Sequence, residues 1–246
     1  MNIGGIILLL SGVLFGASGI GGFFYFLFVG GFGIIEFDLK DDLLKCLLFD
    51  SFLSLIFFIQ HSLFVRKFVK SHIIPFLPDK SYGLFFSTIS GLALWIVLIF
   101  WQESNLIVIE FSGTVSVMVI RFIFFSSFVF MAVSYFSLKE VDMIGNRTYI
   151  KSLWTKKRSD TKKKNPEPEI NMSGPYGLVR HPLYLSWIIY IWFHPIISAD
   201  RLLMCILWTF WIIAGTLLEE RDLAEELGKA YKEYKKKVNM LIPYIL

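Results

Sequence analysis

The chain has 246 residues, of which 55% are hydrophobic and 18% charged, with a formal net charge of +4. A soluble domain carries roughly a quarter charged residues, so this balance, with a mean hydropathy of +0.62, excludes an ordinary soluble globule and predicts an integral membrane protein. The positive charge gathers in loops, where it speaks to topology rather than to nucleic acid. Cys46 and Cys205 both lie in apolar runs and imply neither a disulfide framework nor a metal box.

Residues 3–35 carry no charge, more than the ~20 residues one span requires. They are expected to stay in the protein as one long helix or as a helix with an interfacial piece. Gly12 and Gly16 form a small-xxx-small pair suited to close helix packing. A short acidic patch, Glu36 to Asp42, precedes a second span at about Leu43 to Val65. Asp50 and His61 fall about three turns apart on one face of that span. Intramembrane ionisable groups face a bundle interior or a polar cavity, so this pair reads either as satisfied interhelical hydrogen bonding or as pocket lining. The next loop is basic, with Arg66, Lys67, Lys70 and Lys80, and Pro75 and Pro78 keep it from forming a long helix. A third span runs from about Gly83 to Trp101. A polar turn, Gln102 to Asn105, leads to a fourth at about Val115 to Leu138. Arg121, near its start, reads as snorkelling to the interface or pairing with Glu110 or Asp50.

Residues 139–172 are the longest polar stretch. They include Lys156-Lys157-Arg158, Lys162-Lys163-Lys164, Pro166 and Pro168, and read as a loop facing anionic lipid. Then comes Ser173-Gly-Pro-Tyr-Gly-Leu-Val-Arg-His-Pro-Leu-Tyr184, in which Tyr176, Arg180, His181 and Tyr184 crowd the mouth of an apolar run. Two short apolar runs, Leu183 to Ser198 and Leu202 to Leu218, joined by a tight turn at Ala199-Asp200-Arg201, predict a helical hairpin. From Glu219 an amphipathic pattern follows, with Leu223, Leu227, Tyr231, Tyr234 and Val238 on one stripe. Lys235 to Lys237 close it, suiting the helix dipole and an anionic surface.

The basic loops are the second, the fourth and the C-terminal tail. The charge rule for loops then gives about six spans with both termini cytoplasmic, in an all-α polytopic membrane protein with a cytoplasmic C-terminal amphipathic helix. The stretch ending at Tyr184 and the cluster Glu219-Glu220-Arg221-Asp222 fall on the same side, where they can meet. Adjacent Glu219 and Glu220 diverge by about 100° on a helix, so at most one easily enters a shared pocket. A carboxylate, an Arg-His pair and tyrosine faces suit a zwitterionic ligand bearing a sulfonium. The same residues equally suit a salt-bridge cluster that pins two helix ends. There is no phosphate loop, HExxH or GxSxG, and the four histidines have no metal-ligand spacing.

Gly174-Pro175-Tyr176 and Arg180-His181-Pro182-Leu183-Tyr184, with Glu219-Glu220, Gly228, Tyr231 and Tyr234, resemble the signature of the isoprenylcysteine carboxyl methyltransferase and phospholipid methyltransferase superfamily. Gln60-His61-Ser62-Leu63, the region Pro75 to Tyr82, Phe100-Trp101-Gln102 and Leu218 to Leu223 narrow the likeness to its methanethiol S-methyltransferase branch, close to NnrU-type membrane proteins. The resemblance implies an S-adenosyl-L-methionine-dependent methyltransferase in one membrane domain, 1–246. Residues 1–138 would be its four-helix part, 139–172 a basic cytoplasmic loop, and 173–246 the cofactor-binding hairpin and C-terminal helix. By similarity Tyr176, Arg180, His181, Pro182, Leu183, Tyr184, Glu219 and Glu220 would hold the cofactor, with His181 and His61 as candidates to deprotonate a thiol. Three readings follow: a small-thiol methyltransferase, an enzyme for a lipid headgroup or prenylated carboxylate, and a non-enzymatic NnrU-type protein. Ser186 stands where the family commonly has glycine, and Asn239 where a proline often follows the valine. Gly215 stands where the prenylcysteine enzymes carry a substrate-contacting arginine, which favours a small thiol.

Overall fold

The computed structural model describes residues 3–31, 33–35, 37, 42–138, 142, 145–154, 170 and 172–243. The lysine runs at 156–158 and 162–164, Pro166, Pro168 and most of the acidic patch at 36–42 lie outside the described residues. The described chain is all-α apart from two short strands, β1 (Ile107–Glu110) and β2 (Ile196–Ser198). Among the described residues, five helical runs are long and apolar enough to cross a membrane: Ile3–Val29, Leu43–Val65, Tyr82–Phe100, Thr114–Ser137 and Ala199–Leu227. Pro182–Trp192 is apolar but shorter. The chain is thus an all-α polytopic membrane protein, and it divides into two compact units.

The first unit contains the chain up to Val108, the helix Asn146–Trp154 and the segment Ser198–Leu203. Its uncharged N-terminal run is helical from Ile3 to Val29. α1 (Ile3–Ser11) passes through a π-helical segment, Gly12–Ala17, into α2 (Ser18–Val29), which ends on Gly30 in the left-handed region at φ 102°. α3 (Leu43–Val65) starts on Asp42, whose Oδ1 accepts from Lys45 N at 3.1 Å. α4 (Lys67–Ile73) gives way to a 3₁₀ turn at Ile74–Phe76, where Pro75 ends regular helix. The central element is α5 (Tyr82–Phe100), which packs on the π segment, α2 and α3. Gly16 and Gly91 allow its close approach to the N-terminal run: a Cβ on Gly16 would stand 3.0 Å from Ser87 Cβ, and one on Gly91 would meet the Phe15 carbonyl.

Several buried polar groups in this unit are paired, as an apolar interior favours. Asp50, fully buried, accepts from Gln102 N at 3.0 Å. Cys46 Sγ donates to Gln102 O at 3.1 Å. Asp200 takes Trp101 Nε1 at 3.0 Å and Ser104 N at 2.9 Å, and Arg201 donates to Leu27 O. These partners explain one correction to the sequence reading: Ala199-Asp200-Arg201 is no tight turn but the first turn of a long helix. Its charges are held by residues at or just past the ends of α2 and α5, and Asp200 also suits the helix N-terminus. α7 (Asn146–Trp154) completes the unit, and Gly145, at φ 80°, lies against Gly83.

The second unit contains α6 (Thr114–Ser137), α8 (Pro175–Leu178), α9 (Pro182–Trp192), α10 (Ala199–Leu227) from Met204 onward, and α11 (Lys229–Lys237). α6 packs on α8 and α9, with Tyr190 against Phe124 at 5.0 Å between ring centroids. Ahead of α6, Phe111 N donates to Pro195 O at 2.9 Å. The amphipathic stripe is not one helix. Gly228, at φ 57°, breaks it. Tyr231 and Tyr234 on α11, with Val238 just past its end, fold onto Leu223, Ala224 and Leu227 of α10, so the stripe closes on itself as a local core.

Candidate functional site

The second unit brings the two polar clusters together. Pro175 opens the single turn of α8, after which Val179 leaves the helix and forms a parallel bridge with Asn239. Arg180 N donates to Asn239 O at 2.8 Å and His181 N to Met240 O at 3.1 Å. This strand-like pairing fixes the backbone just before Pro182 starts α9. Asn239 gives its carbonyl to this pairing, and its side-chain amide donates to Ile242 O at 3.5 Å. Ser186, fully buried, returns its hydroxyl to Pro182 O at 3.0 Å and so satisfies its own polarity within α9.

At the centre lies Glu220, 3% exposed. Its Oε1 takes Arg180 Nε at 2.6 Å, and its Oε2 takes Lys235 Nζ at 2.7 Å. His181 Nε2 approaches Oε1 at 3.4 Å. The rest of the Arg180 guanidinium donates to the carbonyls of Lys235 and Val238. Glu219, half-buried, points elsewhere and accepts from Tyr184 OH at 2.6 Å. Two adjacent carboxylates thus serve two partner sets, as their angular divergence on a helix requires. The His181 and Tyr184 rings stack at 5.6 Å with 20° between planes. Tyr234 OH donates to Tyr176 O at 2.6 Å. Leu183 is half-buried beside them.

Burial dominates the electrostatics. It pushes the His181 imidazole below its ordinary range, and the nearby Glu219 and Glu220 oppose this without reversing it. The ring is therefore neutral near pH 7, able to accept a proton. Burial also raises the Tyr176 phenol, and it raises Tyr234 to about 12, so both stay protonated donors. Tyr231 OH is buried without a hydrogen-bond partner among the described residues, and His181 Nε2 has only its 3.4 Å approach to Glu220 Oε1. Such groups are costly to leave unmade, and they give the cluster capacity for a polar ligand.

His61 belongs to the first unit. It lies in α3 with its ring 5.5 Å from Phe57 and 5.0 Å from Phe86. Sequence reasoning left two participants out of the site. Lys235 was read with Lys236 and Lys237 as a surface run, yet it is the second cation on Glu220. Tyr234 was placed on an apolar stripe, yet its hydroxyl anchors the Tyr176 carbonyl. No local pattern separates Lys235 from the two lysines that follow it in the sequence. Tyr184→Phe removes the donor to Glu219 and is expected to destabilise the fold by ~1 kcal/mol. Thermal unfolding of the purified protein checks this, and an unchanged melting temperature would show that the pair contributes nothing to stability.

Fold and cluster define a polytopic all-α membrane protein with a carboxylate–cation centre built from α10, α11 and the stretch before α9. A family model described as NnrU protein matches residues 51–245, and the chain belongs to this family. It is 31% identical over 206 residues to a methanethiol S-methyltransferase of Crocosphaera subtropica, covering 84% of this chain and 78% of that protein. Its identity to the methanethiol S-methyltransferase of Pseudomonas deceptionensis is 28%, over 80% of this chain and 72% of that one. With the protein of that name from Mycobacterium tuberculosis it is 25%, over 77% and 75%. No solved structure matches.

Proposed function

We propose that the protein is a membrane methyltransferase that moves a methyl group from S-adenosyl-L-methionine to methanethiol, releasing dimethyl sulfide. The alignment with the Crocosphaera methanethiol S-methyltransferase over 84% of the chain carries this reading. The cluster's chemistry supports it. Tyr176, Arg180, His181, Pro182, Leu183, Tyr184, Glu219 and Glu220 would surround the methyl donor. The buried Tyr231 OH without a partner among the described residues, and His181 Nε2 with only a long contact to Glu220, fit a ligand bearing an ammonium, a carboxylate and an adenine. When bound, S-adenosyl-L-methionine supplies a sulfonium methyl that a thiolate takes in line, the bonding pair staying with the departing thioether sulfur.

The chain's residues do the rest. Tyrosine rings present electron-rich faces to a sulfonium. Glu219, set by Tyr184, is left with oxygens that can accept from an ammonium or hydroxyl. Arg180, spent on Glu220 and two carbonyls, holds the backbone that positions His181. Neutral His181 accepts the thiol proton as the thiolate forms and passes it to solvent. We assign the proton to His181. His61, ringed by phenylalanines in the first unit, remains the second candidate. Gly215 is exposed, and a Cβ there would meet nothing within 4 Å. No side chain at this position holds an acceptor's carboxylate, which supports a small thiol over a prenylated carboxylate. The loop charges further support both termini and this site facing the cytoplasm.

Cells expressing the chain and fed methanethiol are expected to release dimethyl sulfide, read by headspace gas chromatography. Output no greater than an empty-vector control, with the protein present in the membrane, would overturn the assignment. Methylated lipid in its place would move it to the headgroup reading.

A further inference from the structure

We infer that the lysine-rich end of α11 and the paired segments beside it form a surface that rests on anionic phospholipid headgroups. α10 carries no charge from Leu202 to Leu218, so Glu219 and Glu220 mark the polar border of its apolar course. A helix continuing straight would carry the following lysines away from that border. The turn at Gly228 instead sends α11 back. Lys235 Nζ meets Glu220 Oε2 at 2.7 Å, the carbonyls of Lys235 and Val238 meet Arg180, and Asn239 pairs with Val179 immediately before α9. Lys235, Lys236 and Lys237 therefore stand at the level of the border.

Their neighbours at this level are apolar and uncovered. Leu178, next to Val179, is 56% exposed, and Ile242, just past the pairing, is 44% exposed. The apolar stripe of α11 cannot be what meets lipid, because Tyr231, Tyr234 and Val238 are committed to the local core. Lys236 and Lys237 are exposed, and Lys236 has a less exposed partner in Glu233 at 2.8 Å. Exposed ammonium groups level with exposed leucine and isoleucine match the boundary of headgroups and acyl chains, and the charge selects anionic lipid. Because α11 also holds Tyr176 and Arg180, the lipid contact steadies the stretch that carries His181. This inference stands apart from the methyl-transfer reading, and its test uses no substrate.

The full-length protein would be placed in nanodiscs of phosphatidylcholine, alone or mixed with phosphatidylglycerol, and amide hydrogen exchange followed across 229–242. Exchange is expected to slow about fivefold in the anionic discs. The difference should disappear at high salt and in the double variant Lys236→Gln/Lys237→Gln, which leaves Lys235 and Glu220 untouched. Equal exchange in both discs at low salt would overturn the inference, as would a difference that survives either salt or the double variant. Should the variant fail to fold, the salt titration of the wild type decides alone.

Discussion

Glu220→Gln is expected to lower the melting temperature by about 10 °C and to weaken binding of labelled S-adenosyl-L-methionine at least tenfold. The substitution keeps the shape of the side chain and removes its charge. Arg180 and Glu220 have side chains only 8% and 4% exposed, so neither can be re-solvated where it sits. Breaking a buried pair by neutralising one partner costs about 3–5 kcal/mol, because the other charge is left uncompensated. In a chain of this size each kcal/mol shifts melting by roughly 2–4 °C. Binding falls with stability because Arg180 also ties down the carbonyls of Lys235 and Val238, and its own backbone pairing leads directly into His181. Glu233→Gln gives the contrast. Its partner Lys236 is exposed, with side chains 71% and 48% accessible, and such surface pairs contribute little. Thermal unfolding followed by tryptophan fluorescence in detergent separates the two variants. A Glu220→Gln protein that melts with the wild type would show that the centre holds nothing together.

The membrane helices were legible because their signal is local. Leu43–Val65, Tyr82–Phe100 and Thr114–Ser137 fall within a residue or so of the expected spans, since each is an apolar run bounded by charge or glycine. Where a charge sits inside a helix and is satisfied from a distant part of the chain, the local pattern misleads. Asp200 and Arg201 looked like a turn because nothing nearby in sequence could pair them. Trp101, Ser104 and Leu27 do so. The split of the amphipathic stripe at Gly228 was equally hidden. A helical period continues through it, and only the positive φ reveals that the stripe folds back. Of the site, the divergence of Glu219 and Glu220 followed from helix geometry alone. The pairing of Val179 with Asn239 joins residues far apart in the chain with no shared pattern, so Lys235 could not be read as part of the centre.

His181→Ala is expected to lower kcat for methanethiol by 10²–10³-fold, the range typical of a positioned proton acceptor, and to change the shape of the pH profile. Burial holds the His181 pKa below its ordinary value, despite Glu219 and Glu220 nearby. The wild-type imidazole is therefore neutral and competent above pH ~6.5, and protonation removes it only on the acid side of that value. The rate should accordingly be flat through neutrality and fall as the pH drops further. Without His181, the thiolate must form by loss of its proton to water. The variant's rate should then climb about tenfold per pH unit toward the thiol's own pKa, narrowing its deficit as the pH rises. A ring that merely buttresses Tyr184 by stacking gives a different result: donor affinity would fall, the two pH profiles would run parallel, and Phe at this position would restore most of the loss. Comparing Ala, Phe and Asn at 181 with Phe at 61, each across pH, therefore tells which histidine handles the proton. The expected pattern is that only the substitutions at 181 tilt the profile, because His61 is packed between Phe57 and Phe86 and a phenylalanine can take its place in that stack.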